Sequence, residues 1–302
     1  MKNNSQRVAS ATSVLKLIYP IALWLVLFST CKYIPSSIRP LIHVKLLPFA
    51  DSLLFTSIYG VLLLSILSLI VGVICFRHLT LYQKCWFALA PLSLSFIGYI
   101  SSREPNSTMD ALMFLPYGIF HYLSPIVFIF ICYYTDTTDL IYSYCHALGW
   151  MNVAGVVTQI LIPCAAPWYN DKMGIQAANY SMPGDPAGLK NVDKLFGTQI
   201  YTSVFNSSPL VFGALPSLHS AMAVLFTMFC FKVSTRLGSV MLGYTAWMWM
   251  STIYFRHHYM FDLYVGAVYA AVAFSIQNRK IVNATTHLLP LHRYKQIPSN
   301  TL

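Results

Sequence analysis

Apolar runs recur along the chain, separated by short polar stretches and one long one. A membrane span needs about 20 mostly apolar residues. Eight segments approach that length: roughly 13–31, 53–76, 85–101, 111–133, 141–163, 214–232, 237–255 and 260–277. The second, LLFTSIYGVLLLSILSLIVGVICF, carries no charge. The third is short and the fourth contains Pro116, His121 and Pro125, so a kink or a re-entrant path is expected there. The first is long and ends in CKYIP without a small-residue cleavage site, so it reads as a span, not a cleaved leader. The pattern predicts an all-α polytopic transmembrane bundle of about six to eight spans. It divides into N-terminal spans (1–163), a long loop (164–208), a hairpin with the last span (209–278) and a tail (279–302). Pro, Gly, Asn and Asp punctuate the loop, which predicts turns with a short helix over 188–196. Long loops in compact proteins are usually functional.

Composition agrees with that pattern. Of 302 residues, 57% are hydrophobic and only 9% charged, where a soluble domain carries about 25%, so an ordinary water-soluble domain is excluded. Nineteen Lys and Arg against nine Asp and Glu give a formal charge of +10. These positives form no tract, so they mark membrane borders and anionic lipid headgroups and predict no nucleic-acid partner. The seven Cys make no metal-ligand spacing and no disulfide framework; only Cys31 and Cys164, at span edges, offer an isolated bridge. No internal repeat or low-complexity tract is present.

Eight spans place both termini on one side. With the N-terminus cytosolic, ten Lys and Arg fall inside and eight outside, or five once the long loop is set aside, as the positive-inside rule recommends. Seven of the nine acidic residues then lie outside. Sequons at Asn106, Asn179 and Asn206 are compatible with that orientation, whereas those at Asn3 and Asn283 are not.

Ionisable groups within spans are expensive and are functional candidates by default. Here they cluster in GALPSLHSAMAV and STIYFRHHYMFDLYVG. His219 and His258 stand 39 residues apart around the turn TRLGS. Two legs of about 18 residues, rising 1.5 Å each, carry the chain across the bilayer and back, so both histidines emerge at one face. His258 and Asp262, at i and i+4, share a helical face. A carboxylate there can bind one imidazole N–H and raise the basicity of the other nitrogen, as an activated nucleophile requires. His219 suits the role of general acid and base. A metal site is the competing use of these residues. Adjacent His257 and His258 would point about 100° apart on a helix and no second carboxylate sits at helical spacing, so no metal and no other cofactor is expected. Asp110, His121 and His146 read as isolated packing or pore-edge groups. A transporter with an intramembrane proton path would instead distribute its charges through the bilayer depth.

PSLHS followed by HHYMFD resembles the lipid phosphatase and phosphotransferase superfamily related to type 2 phosphatidic acid phosphatases, whose motifs read PSGH and S-R-x5-H-x3-D. More narrowly, YSMPGDPAGL, SPLVFGALPSLHS and STIYFRHHYMFDLYVG resemble fungal inositol phosphorylceramide synthases over about residues 164–270. The resemblance implies a core like that of the type 2 phosphatases. It makes His258 the nucleophile, Asp262 its orienting carboxylate, His219 the acid and base, and Ser217 a holder of phosphoryl oxygens. Leu218 replaces the motif glycine and Thr252 the motif arginine, while Ser251 is kept. A missing arginine removes a bidentate phosphate contact and leaves Arg256, Lys190 and Lys194 as substitutes. The superfamily's K-x6-R-P spacing occurs far upstream, at Lys32, Arg39 and Pro40, which makes Lys32 and Arg39 further candidates for binding phosphate. The implied activity transfers inositol phosphate from phosphatidylinositol to ceramide through a phosphohistidine. The alternatives are an inositolphosphotransferase acting on mannosylated inositol phosphorylceramide, or a lipid phosphate phosphatase. The resemblance further implies a Golgi membrane enzyme with a lumenal site and a small membrane regulatory subunit.

Overall fold

Thirteen α-helices make up the fold in the computed structural model, which describes residues 2–75, 81–101 and 106–288. Arg77, Arg103, Glu104 and the tail beyond 288, all part of the charge count above, lie outside the described residues. Each of the eight apolar segments is helical over most of its described length. In chain order the long helices are α1 (Lys2–Thr30), α2 (Leu46–Phe55) running into α3 (Ile58–Cys75), α4 (Leu81–Ser101), α5 (Ser107–Phe114) joined to α6 (His121–Tyr134), and α7 (Asp139–Leu161). The long loop holds α8 (Pro167–Met173), α9 (Leu189–Phe196) and α10 (Ile200–Asn206); then come α11 (Leu218–Val233), α12 (Thr235–Tyr254) and α13 (Met260–Leu288).

Among the described residues, Val14–Tyr33, Ser107–Tyr134 and Met260–Arg279 are long and apolar enough to cross a membrane, and α2 with α3 forms a fourth candidate bent by 91°. The second span is therefore not one straight rod from residue 53. The interior helices fall below that threshold for a physical reason: Ser143, His146, Asn152 and Gln159 on α7 and Thr245, Ser251 and Thr252 on α12 are buried against other helices, where a polar group can be satisfied by protein. Apolar surface faces outward on the flanks instead, as with Ile66, Val73 and Ile74 of α3.

The kink expected in the fourth segment is a π-helical turn, Leu115–Phe120, with Pro116 in its first turn. Such turns insert one residue into a helix and re-aim the side chains beyond it. α11 runs through the centre, with eleven of its residues buried, against α12, α13, α6 and α7. The turn after it is tighter than TRLGS suggested. It is made by Ser234, whose hydroxyl caps α12 by accepting from Leu237 N at 3.1 Å. Gly238 permits this closeness, since a Cβ there would strike the Phe231 ring.

The long loop is folded. His43, Cys164 and Gly213 join in two isolated parallel bridges, and a second core of Val44, Leu47, Trp168, Tyr169 and Phe212 packs around them. Cys31 and Cys164 are both buried free thiols, so the bridge the sequence allowed is not formed. The helix expected over 188–196 is α9. It ends at Gly197, whose φ of 64° places it in the left-handed region that glycine adopts without strain.

Candidate active site

Two helix starts are stitched together here. Ser217 caps α11, its Oγ accepting from Ser220 N at 3.3 Å, while Ser217 N donates to the Asp262 carbonyl at 3.1 Å. Ser220 Oγ donates to the Leu263 carbonyl at 2.6 Å and accepts from Trp249 Nε1 at 2.8 Å. A Cβ on Gly266 would strike the Ser217 carbonyl, so glycine there lets α13 lie against the first turn of α11. Arg256, with φ of 61°, reverses the chain between α12 and α13. The long loop docks on that reversal through Trp168 N to the Arg256 carbonyl at 3.0 Å and Gly188 N to the Phe255 carbonyl at 3.3 Å.

These constraints bring three of the sequence candidates together. His219 Nδ1 and His258 Nε2 are 3.3 Å apart. On the other side of the His258 ring, Nδ1 stands 3.3 Å from Asp262 Oδ1, too obliquely for a hydrogen bond. His258 precedes α13 by two residues instead of lying on it, yet still meets the carboxylate. Asp262 is fully buried, and its Oδ2 accepts from Tyr259 N at 3.2 Å. Asp51, on α2, caps the same helix start by accepting from Phe261 N at 2.8 Å.

The other candidates do not converge. Ser217 is fully buried as a helix cap. The Arg256 guanidinium is held bidentately by Asp171, at 2.7 and 2.6 Å. Arg39 donates to the carbonyls of Ile34, Cys31 and Lys32 and covers the Tyr180 ring at 4.9 Å. Lys32 and Arg39 line a neighbouring cavity of about 180 Å³ that shares Gln159 and Ser208 with the main one. Lys190 and Lys194 are exposed on α9, outside both cavities.

The main cavity, about 440 Å³, has His219, His257 and His258 at its base and Phe28, Tyr122, Tyr201 and Phe205 in its walls. Two residues not singled out for the site prove central. Tyr117 stacks on His219 at 4.3 Å between centroids, and His121 tilts against the same ring at 4.5 Å. Reading His121 as isolated is thereby corrected: the π-helical turn aims both residues, four apart in sequence, at a histidine about a hundred positions away. His257 stacks on Phe205 at 4.5 Å, and its Nε2 is 3.1 Å from the Pro186 carbonyl. Burial, with His258 nearby as the next cause, pushes His257 down to about 3, so it stays neutral. Among the described residues, no group of three or more His, Cys, Asp or Glu side chains is arranged to hold a metal ion.

A carboxylate behind one imidazole, with a second imidazole beside that ring's other nitrogen at the lining of a cavity, suits covalent transfer of a phosphoryl group. The PAP2 superfamily profile matches residues 101–276, more than half the chain and all of this constellation. The chain belongs to the PAP2 superfamily. Within it, the chain is 34% identical to the inositol phosphorylceramide synthase catalytic subunit of Schizosaccharomyces pombe over 84% of its own length and 51% of the relative's. Against the corresponding catalytic subunit of Saccharomyces cerevisiae the identity is 36%, covering 84% and 54%. The inositol phosphorylceramide synthase of Candida albicans is 34% identical, with 86% and 47% covered. The chain thus spans about half the length of the curated relatives it matches. No solved structure matches it.

Proposed function

We propose that the chain transfers inositol phosphate from phosphatidylinositol to the primary hydroxyl of ceramide and releases diacylglycerol. His258 Nε2 attacks phosphorus as the bond to the diacylglycerol oxygen breaks, and His219 gives its proton to that oxygen. Asp262, beside His258 Nδ1, stabilises the positive charge the ring gains when the N–P bond forms. The ceramide hydroxyl then loses its proton to His219 as its oxygen attacks phosphorus, the N–P bond breaks, and both histidines return to their starting states. Two in-line displacements give net retention at phosphorus, and neither step requires a bound metal. A cavity lined by Phe28, Tyr122 and Phe205 at the level of the membrane favours the lipid hydroxyl over hydrolysis.

The observation that carries this reading is the 3.3 Å approach of His219 Nδ1 to His258 Nε2 with Asp262 behind. Three relatives named for inositol phosphorylceramide synthesis support the choice of substrates. We place the chain in the Golgi membrane with eight spans, both termini cytosolic and the cavity lumenal, in keeping with the excess of Lys and Arg on the terminal side. A small regulatory membrane subunit completes the enzyme; the relatives named as catalytic subunits support this.

Purified protein given labelled phosphatidylinositol with ceramide, mannosylated inositol phosphorylceramide or no acceptor tests the assignment. Label should appear in inositol phosphorylceramide. Label found only in the mannosylated product, or only in free inositol phosphate, would reject it in favour of the sister transferase or a phosphatase.

A further inference from the structure

Helices α9 and α10 form a hairpin fastened by one buried carboxylate. Asp193 Oδ1 accepts from Thr198 Oγ1 at 3.0 Å and Tyr201 N at 3.1 Å, and Oδ2 accepts from Thr202 N at 2.8 Å and Thr202 Oγ1 at 2.7 Å. Burial works to raise this carboxyl, but the four bonds outweigh it and hold Asp193 below its ordinary range.

One face of the hairpin belongs to the site, since Tyr201 and Phe205 line the main cavity and Leu189 and Val192 are buried. Its outer face is the anomaly. Leu195, Phe196, Ile200 and Val204 are 44%, 57%, 60% and 58% exposed. Four large apolar side chains on one short hairpin make a contiguous patch of the kind that marks an interaction surface.

Two features identify what covers it. The patch continues a surface that faces lipid: Phe196 packs on Phe114 at 5.7 Å, and Phe114 belongs to Ser107–Tyr134, a segment long and apolar enough to cross a membrane, whose Leu112, Tyr122 and Leu123 are themselves exposed. Lys190 and Lys194, exposed one turn apart on α9, supply positive charge beside the patch, and neither makes an ion pair among the described residues. The hairpin's carboxylate cannot neutralise them, because Asp193 is turned inward. An apolar edge flanked by lysines is the signature of an element lying in the headgroup interface of a bilayer, with its cations at the level of the lipid phosphates.

We propose that the α9–α10 hairpin docks on the lipid surface, its apolar edge among the acyl-chain origins and Lys190 and Lys194 on lipid phosphates. It holds anionic lipid beside the cavity wall formed by Tyr201 and Phe205. Lys190 and Lys194 therefore meet phosphates of the bilayer and not the reacting phosphate. The chemical identity of the preferred lipid rests on the function proposed above; the docking itself does not.

A photocrosslinking residue tests this without turnover, so its failure and that of the transferase reading are separate results. Benzoylphenylalanine replaces Phe196, or Gln176 as an exposed control in the same loop, in full-length protein in nanodiscs of phosphatidylcholine and phosphatidylinositol. Lipid adducts at position 196 should exceed those at 176 by at least about fivefold, as burial in the headgroup region requires. Phosphatidylinositol should be over-represented among those adducts several-fold relative to the bilayer. That enrichment should disappear in the Lys190→Gln/Lys194→Gln variant. No lipid adduct at 196, an adduct to another protein chain instead, or enrichment unchanged by removing the lysines would overturn the proposal.

Discussion

The two polar sets that the sequence singled out meet opposite fates. His219, His258 and Asp262 come from the starts of α11 and α13, which are locked to each other by Ser217, Ser220 and Gly266, and they converge within 3.3 Å steps. The cations Lys32, Arg39, Lys190, Lys194 and Arg256 come from loops and short helices. Each is directed elsewhere: to backbone carbonyls, to Asp171, to a neighbouring cavity or to the exterior. Helix starts held by packing deliver chemistry to a point, whereas a basic side chain on a connecting segment takes whatever partner lies nearest. A motif spacing read along the chain is a poor guide to the second kind of residue.

Removing one member of the first set should have the largest effect. His258→Ala and His219→Ala should each lower transfer by at least about 10²–10⁴-fold, the range general acid–base and nucleophilic partners supply, read as labelled inositol phosphorylceramide formed per unit protein. Undiminished activity in either would break the contrast at its stronger end. Asp262→Asn keeps the size of the side chain but removes its charge, and should cost roughly 10²-fold in kcat with KM little changed. Gly266→Ala tests the lock, not the chemistry. A methyl driven against the Ser217 carbonyl should destabilise the protein by about 1–3 kcal/mol and lower kcat with it, seen as an earlier thermal midpoint in detergent. From the second set, Arg256→Gln should lower stability by no more than about 1 kcal/mol, because its pair with Asp171 is half exposed. A loss of transfer comparable to that of Asp262→Asn would show that the cations act at the reacting phosphate after all.

The last expectation concerns pH and leaves the reacting groups untouched. An unfolded histidine takes its proton near 6.5, but His257 in the fold resists it down to about 3, chiefly because it is buried. Between those values the unfolded chain binds more protons, so stability falls as the pH drops, by up to about 1.4 kcal/mol per pH unit for this single group. His257→Phe, which preserves the stacks on Tyr117 and Phe205, should flatten the decline of the thermal midpoint between pH 6.5 and 5.

Much of this arrangement was legible in the sequence. Apolar length alone located the eight long helical segments, and leg length across the bilayer placed His219 beside His258. The i, i+4 spacing paired His258 with Asp262, although the pair forms across a helix start and not along a helix. Tyr117 and His121 were not legible. Their contact with His219 depends on a π-helical turn, which no hydrophobic period reveals, and on how α6 packs against α11. α10 was missed for a different reason. Ile200, Thr202 and Val204 are β-branched and poor helix formers, and the helix start is fixed by Asp193, a partner seven residues upstream. The bend between α2 and α3 was hidden because only two small polar residues, Thr56 and Ser57, interrupt the apolar run there.

The hydrogen bond from Phe261 N to Asp51 has a bearing on how the chain is divided. The residues shared with the superfamily begin only at 101, yet the start of the helix that carries Asp262 is finished by a side chain from residue 51. The matched stretch and the assembled site therefore have different borders. The matched segment contains the reacting groups, and the helix start beside one of them depends on a side chain outside that segment. Expressed alone, residues 101–288 should bear every catalytic side chain and still lack the cap that fixes where one of them points.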